Sequence, residues 1–220
     1  MKDKKNNLTE LVFILDRSGS MSGLEADTIG GFNALIEKQR AEEGRCFVST
    51  VLFDDKSEVL HDRVDISEIG KMTEKEYYVR GCTALIDALG GAIHHIGNVH
   101  KYARPEDVPD HTMFVITTDG YENASRIYSS TEVKKMVERQ KQKYGWEFVF
   151  IGANIDSVET ARHYGISEDR AVNYHADSLG TQTVFCAMAR NISKVRHGLK
   201  MESEDLDEIR ADYNSRQAKR

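Results

Sequence analysis

The sequence is poor in the residues that characterise disulfide-rich, zinc-binding and multidomain proteins. It has three cysteines and two prolines in 220 residues. Cys46, Cys82 and Cys186 are widely spaced and form no CxxC pair, which argues against a disulfide framework and a zinc site and favours a reducing compartment. Pro105 and Pro109 fall in one segment, so no proline-rich linker divides the chain and we expect a single α/β domain.

Long apolar runs and an excess of basic residues are also missing. No apolar run approaches the roughly 20 residues that a membrane-spanning helix needs. Residues 1–7 are polar and lack the apolar core of a secretory signal. We therefore expect a cytoplasmic protein without a membrane partner. The formal net charge of −6 lacks the basic face of a general nucleic-acid binder, so we expect no nucleic-acid partner.

Strand patterns and helix patterns alternate along the chain. Buried or strand-like segments predict strands at residues 11–15, 45–53, 57–64, 113–117, 146–151 and 171–174. Apolar residues at helical spacing predict helices at 24–40, 84–102, 131–144, 157–164 and 183–195. This alternation predicts a doubly wound, mostly parallel six-stranded sheet with helices on both faces.

One strand and the end of the chain depart from this pattern. The connection before residues 57–64 is too short for a crossover, so this strand is expected to be antiparallel, at the edge of the sheet. Residues 8–200 form the predicted domain. Residues 201–220 are a charged C-terminal tail that either extends the last helix or is disordered.

A polar motif follows directly on the first predicted strand. The apolar run at residues 11–15 does not alternate with polar residues and therefore predicts a fully buried strand. Asp16, Ser18 and Ser20 come next, in an Asp-x-Ser-x-Ser pattern. Residues two apart in extended chain point the same way, so these three side chains face one point while Arg17 faces away.

Two later segments place side-chain oxygens where they can join this motif. Thr83 stands at the start of the helix predicted at 84–102, and Asp119 follows the strand predicted at 113–117. Ligand sites in open parallel sheets lie outside the carboxyl ends of the strands, and the strands that end at Asp16 and Asp119 can be neighbours where the strand order reverses. The three oxygens of the motif suit a hard cation, Mg²⁺ above all.

With these residues in place, the chain resembles a von Willebrand factor A domain that carries a metal-ion-dependent adhesion site. That family combines Asp-x-Ser-x-Ser with a distant Thr in a Gly-x-Thr-x-Leu context and an Asp that ends a later strand before Gly. Asp16, Ser18, Ser20, Thr83 and Asp119 fill all five positions, in the family's order.

The resemblance extends from Leu8 to Val195, and residues 150–156 also resemble small, stand-alone bacterial and phage members. In the family, the hydroxyls touch the metal directly, the two aspartates act largely through bound waters, and one coordination position stays open. The resemblance thus implies Mg²⁺, with Mn²⁺ or Ca²⁺ as alternatives, and a protein partner that offers an Asp or Glu carboxylate. It implies a binding module and not an enzyme.

Simpler interpretations of the same residues remain open. Ser18 and Ser20 can cap the next helix, and Thr83 can cap the helix that it begins. Asp54 and Asp55 are interpreted as turn residues after the second strand. Three residues beside the site loops are candidates for its rim, although solvated loop residues are the simpler interpretation: Arg80, Glu122 and Asn123.

Two other functions also remain open. A phosphohydrolase of the aspartyl-phosphate type places an Asp after a first strand, with magnesium nearby. Such enzymes carry a second acid two residues later, where this chain has Ser18, a poor general acid or base. The third alternative is a structural domain with a vestigial site, which the five filled ligand positions do not favour.

Overall fold

The computed structural model describes residues 6–217 of the chain. The prediction of a polar N-terminus without a signal core falls mainly on residues 1–5, and the predicted tail ends in residues 218–220. Both of these segments lie outside the described residues. Within the described part, no helix combines the length and the apolar character that crossing a membrane requires.

A six-stranded sheet forms the centre of the molecule, in the order β3-β2-β1-β4-β5-β6. All neighbouring pairs are parallel except β2 and β3, which are antiparallel. The predicted sheet, with its antiparallel edge strand, is confirmed. The strands are β1 (Leu8–Asp16), β2 (Arg45–Phe53), β3 (Ser57–Asp65), β4 (His111–Thr118), β5 (Glu147–Gly152) and β6 (Ala171–Asn173).

Within residues 6–217, six α-helices cover the two faces of the sheet. The first, fifth and sixth pack on one face, and the second, third and fourth on the other. Each face therefore has its own apolar core, which is the arrangement of a doubly wound fold. The helices are α1 (Glu25–Arg40), α2 (Leu85–Tyr102), α3 (Ser130–Tyr144), α4 (Ser157–His163), α5 (Ser178–Arg196) and α6 (Asp207–Gln217).

The β1 strand shows why its sequence is a continuous apolar run. Leu11 and Phe13 point into the core under α1 and α5, whereas Val12 and Ile14 point into the core under α2 and α3. All four side chains are fully buried. Because β1 lies between two strands and under helices on both faces, the middle of the strand is apolar on both faces.

The C-terminal part differs from the predicted boundaries. The α5 helix begins at Ser178, before the predicted start at 183, because the Asp177 carboxylate caps it by accepting a 2.9 Å hydrogen bond from the Gly180 amide. Beyond α5, part of the charged segment folds into a short 3-10 turn and then α6. Leu206 and Ile209 of this segment are buried in the same core as α5.

Candidate metal site

The carboxyl ends of β1 and β4 meet at one edge of the sheet and bring Asp16 beside Thr118. These strands are direct neighbours, with Leu15 paired to Thr117. One carboxylate oxygen of Asp16 accepts a 2.7 Å hydrogen bond from the Ser18 amide, and the other accepts a 2.6 Å bond from Thr118 Oγ1. Asp16 is therefore held in one orientation by both of its oxygens.

The three predicted hydroxyls lie together at the same edge. Ser18 Oγ and Ser20 Oγ are 2.9 Å apart. A Cβ placed on Gly120 would lie 3.3 Å from Ser20 Oγ and 3.6 Å from Thr83 Oγ1, so these groups surround one small space that the glycine leaves open. Ser18 and Thr83 are buried and Ser20 is exposed, so the cluster opens to the surface on the Ser20 side.

Helix capping does not engage these hydroxyls. Ser18 precedes the 3-10 turn Gly19–Met21, but its side chain makes no capping hydrogen bond. Ala84, and not Thr83, stands at the N-cap of α2, and that helix start also has no side-chain cap. The hydroxyls of Ser18 and Thr83 therefore do not serve as helix caps.

Asp119 adds a second buried carboxyl to the cluster. It is 2% exposed, and its Oδ1 atom has no hydrogen-bond partner. Burial raises the pKa of Asp119 to about 6; the Ser20 hydroxyl opposes this shift and the negative charge of Asp16 adds to it. Burial also raises the pKa of Asp16 above its ordinary value. A cation beside the two carboxyls would offset the cost of burying them as anions.

The loop after Asp119 holds Thr83 in place. The Thr83 amide donates to Asn123 Oδ1, and the Asn123 amide donates back to the Thr83 carbonyl, both at 3.0 Å. Glu122 accepts a 2.9 Å hydrogen bond from the Ile86 amide at the start of α2. Glu122 is half-buried and Asn123 is exposed, as a solvated loop residue would be, but both join the two site loops. The sequence does not reveal this role because the two loops are far apart in the chain.

Behind the motif lies an ion-pair network that the sequence also did not reveal. Arg17 is 1% exposed; its Nε lies 2.9 Å from Asp54 Oδ2 and its Nη2 lies 2.7 Å from Glu58. Arg80 Nε reaches the same Asp54 oxygen at 2.8 Å. Burial alone would raise the pKa of Asp54. Hydrogen bonds from Arg80 and the Lys56 amide, together with the nearby positive charge of Arg17, outweigh burial, so the pKa of Asp54 is lowered.

This network changes the interpretation of two residues. Asp54 has the predicted turn role, because its Oδ1 accepts from the Lys56 amide at 3.0 Å, but it also neutralises a buried arginine. Arg80 is 45% exposed in its side chain and is paired, not simply solvated. The signal that could have pointed to the network is an arginine directly after a buried strand, with two acids at the end of the next one.

The residue types at this edge fit a hard divalent cation. Two carboxyls and three hydroxyls supply only oxygen, which Mg²⁺ and Ca²⁺ prefer. The unpartnered Asp119 oxygen lies in the same cluster. Among residues 6–217, no group of three or more His, Cys, Asp or Glu side chains is arranged to hold a metal, so a site here depends on its hydroxyls.

Comparisons with known proteins agree with this architecture. No protein-family model matches the sequence, and no curated protein matches it. Among solved structures, the von Willebrand factor domain of the type V pili tip protein Mfa5 from Porphyromonas gingivalis superimposes with a TM-score of 0.61 at 10% identity, over 88% of this chain and 96% of that one. The chain has a von Willebrand factor A fold.

Two further A-domain structures extend the comparison. The mussel byssus protein PTMP1 has a zinc-occupied metal-ion-dependent adhesion site (MIDAS) motif. It matches with a TM-score of 0.57 at 14% identity, over 84% of this chain and 46% of that one. The von Willebrand factor type A protein from Catenulispora acidiphila matches with a TM-score of 0.56 at 13% identity, over 83% of this chain and 42% of that one. The chain thus spans less than half the length of these two proteins.

Proposed function

We propose that the chain is a metal-dependent protein-binding module. Asp16, Ser18, Ser20, Thr83 and Asp119 would hold Mg²⁺, with Mn²⁺ or Ca²⁺ as alternatives. The observation that carries the proposal is the buried Asp119 Oδ1, which has no partner and lies in a cluster of three hydroxyls that cap no helix. The zinc-occupied motif of PTMP1 supports it by showing a divalent metal on the same fold.

The side chains have separate tasks in this proposal. Asp16 is oriented by Ser18 and Thr118 and supplies negative charge, while both of its oxygens stay engaged with the protein. The hydroxyl oxygens of Ser18, Ser20 and Thr83 would be neutral ligands, so they would leave the positive charge of the metal unreduced. When bound, Mg²⁺ supplies a positive charge with a coordination position open to a hard anionic oxygen.

The partner in this proposal is a protein that offers an Asp or Glu carboxylate. We favour binding over catalysis because Ser18 occupies the place of the second acid of an aspartyl-phosphate phosphohydrolase, and its hydroxyl contacts Ser20 at 2.9 Å. A bacterial or phage-type cytoplasmic module is our proposed setting. The three cysteines, two of them exposed, are all free, which supports a reducing compartment.

Calorimetric titration with Mg²⁺ tests the metal site directly. We expect binding by the natural chain and none by Asp16→Ala. Ser20→Ala should weaken binding, whereas Ser22→Ala, which removes an exposed hydroxyl two residues away, serves as the matched control and should bind normally. Equal binding by all four proteins would overturn the proposal.

Two further measurements separate binding from its alternatives. At a Mg²⁺ concentration of about 100 times the Kd, the metal should stabilise the fold by about 2.7 kcal/mol and raise the melting temperature by about 5–10 °C. A vestigial site would give no such shift. A screen against simple phosphate esters should show no metal-dependent turnover, and turnover that Asp16→Asn abolishes would support the phosphohydrolase.

A further inference from the structure

Exposed apolar side chains are concentrated on the loops that carry the candidate metal site. Among the described residues, eight large hydrophobic side chains are exposed. Three of them lie on the two loops that supply Thr83 and Asp119, which are residues 77–83 and 119–129. They are Tyr78 at 42%, Tyr121 at 63% and Ile127 at 78% exposure, and we call these three residues the apolar rim.

The loop that carries Tyr121 and Ile127 is held in place by the half-buried carboxylate of Asp87. Asp87, on α2, accepts hydrogen bonds of 2.8 to 2.9 Å from three consecutive amides, those of Arg126, Ile127 and Tyr128. Ile127 is thus an exposed aliphatic side chain on a backbone that is already ordered. A contact made by such a residue loses little conformational freedom on binding.

A second carboxylate orders the part of this loop nearer the site. Glu122 Oε1 accepts from the amides of Ala124 and Ser125, at 2.9 and 2.7 Å. Its Oε2 accepts from the Ile86 amide and from the Ser125 hydroxyl. Both oxygens of the loop's one acid between Gly120 and Ser129 are therefore used within the chain.

The Tyr78 ring is also held before any partner arrives. The guanidinium groups of Arg80 and Arg17 lie 5.1 and 5.6 Å from the ring centroid. The Tyr78 hydroxyl accepts a 2.9 Å hydrogen bond from Arg80 Nη1. Both arginines are tied to Asp54, so the ring stands on an ion-pair network and is not a freely moving surface side chain.

The charge of the rim loop complements an acidic partner. Because Glu122 is engaged internally, the exposed Arg126 is the charged side chain that this loop offers to solvent. Interfaces concentrate their binding energy in a few side chains, among which tyrosine and arginine are enriched.

We propose that the apolar rim, with Arg126, determines which acidic segments the metal site accepts. The occupant is a segment of a partner protein in which the metal-bound Asp or Glu has a large apolar residue close to it in sequence. Ile127 and Tyr121 contact that apolar residue, and Arg126 favours an acidic segment around it. This inference rests on the proposed metal-dependent function and adds the sequence context of the carboxylate.

Selection from a displayed library of random peptides tests this. The full chain is used as bait in millimolar MgCl₂, and bound peptides are eluted with EDTA. We expect enrichment of peptides that combine an Asp or Glu with a neighbouring Leu, Ile, Phe, Tyr or Trp. Ile127→Ser and Tyr121→Ser should each lower the affinity of the chain for the enriched peptides by about tenfold.

Tyr102→Ser is the matched control. Tyr102 is 77% exposed at the opposite end of α2, about 25 Å from the start of that helix, and its loss should leave peptide affinity unchanged. The Mg²⁺ affinity of all three variants is measured by calorimetry alongside. The rim residues should change peptide binding and leave metal binding intact.

Each remaining outcome decides between the two proposals. Peptides with an acid but no apolar preference, or peptides whose affinity the rim variants leave unchanged, would overturn the role of the rim and leave the metal function standing. Normal Mg²⁺ binding without any EDTA-eluted peptide would do the same. Absence of Mg²⁺ binding in the natural chain would overturn the metal function and the inference together.

Discussion

Thr118 Oγ1 donates a 2.6 Å hydrogen bond to Asp16 Oδ2, and both side chains are fully buried. The bond joins the last residues of two neighbouring strands, β1 and β4. Asp16 has its other oxygen on the Ser18 amide, so Thr118 fixes the remaining rotation of the carboxylate. Thr118 is therefore a positioning residue for the candidate metal site, although its own hydroxyl is already used.

Replacing Thr118 by valine should weaken Mg²⁺ binding by about tenfold, because a carboxylate without its supporting hydrogen bond loses orientation. Calorimetry measures the change. Thr117→Val is the matched control, since it removes a buried hydroxyl from the preceding residue, which points to the other side of the strand. Equal Mg²⁺ affinities for the two variants would show that Thr118 does not position Asp16.

The strands could be predicted from sequence because burial on both faces leaves a simple pattern. The predicted bounds of β2, residues 45–53, agree with the structure, and β1 is recognisable from its unbroken apolar run. The start of α5 could not be predicted in the same way. Residues 178–182 are mostly small or polar. The helix begins there because Asp177 caps it, and Gly180 fits against the His175 carbonyl where a Cβ would overlap.

The candidate site could be inferred from sequence only at residues with a recognisable local context. The motif after β1 and the two single residues Thr83 and Asp119 have recognisable contexts. Thr118 and Arg17 do not, because their roles depend on partners 102 and 37 residues away in sequence. The pairing of carboxylates with donors across such distances depends on strand order and loop conformation. Local sequence patterns predict neither of these.

Removing Asp54 should destabilise the fold more than removing Arg17, its buried partner. Asp54→Ala leaves the Arg17 guanidinium buried with only the partly exposed Glu58 as partner, so we expect a loss of about 3 kcal/mol in the free energy of unfolding. Arg17→Met should cost less, because Asp54 keeps Arg80 and the Lys56 amide. Urea unfolding measures both.

Two further variants make this prediction specific. The double variant Arg17→Met with Asp54→Ala should lose less than the sum of the single losses, because neither charge is then buried without its partner. Glu37→Ala, which breaks an exposed pair with Arg40 within one helix, should cost less than about 0.5 kcal/mol. If Asp54→Ala also lowered the free energy of unfolding by less than about 0.5 kcal/mol, the expected cost of leaving the buried Arg17 without Asp54 would be contradicted.

Adjacent glycines in α1 should respond to alanine in opposite directions. A Cβ on Gly30 would meet no atom within 4 Å, so Gly30→Ala should stabilise the fold by about 0.5–1 kcal/mol through a lower entropy of the unfolded chain. A Cβ on Gly31 would overlap the ring of Phe185 on α5. Gly31→Ala should therefore destabilise the fold by about 1–3 kcal/mol.

Each glycine variant is the control for the other, because both make the same chemical change in the same helix. Thermal melts of the two variants and the natural chain give the comparison. Similar shifts of the two melting temperatures would mean that helix propensity, and not the contact between α1 and α5, governs this position.

His61 should make the stability of the fold depend on pH. Its ring lies parallel to that of Phe32, with the centroids 6.4 Å apart, and its Nδ1 lies 3.0 Å from Thr50 Oγ1. Burial lowers the pKa of His61 from 6.5, while the negative charge of Glu76 partly opposes the shift. The folded chain therefore takes up a proton less readily than the unfolded chain does.

The sign of the effect follows from this difference. As pH falls below about 7, the unfolded chain gains a proton that the folded chain does not, so the free energy of unfolding decreases until the pKa of the folded state is passed. The slope from this one group cannot exceed about 1.4 kcal/mol per pH unit. His61→Gln keeps a polar side chain opposite Thr50 without a titrating group, so urea unfolding between about pH 7.5 and 5.5 should show a shallower loss of stability than in the natural chain. Parallel curves for the two proteins would show that His61 protonates equally in the folded and unfolded states.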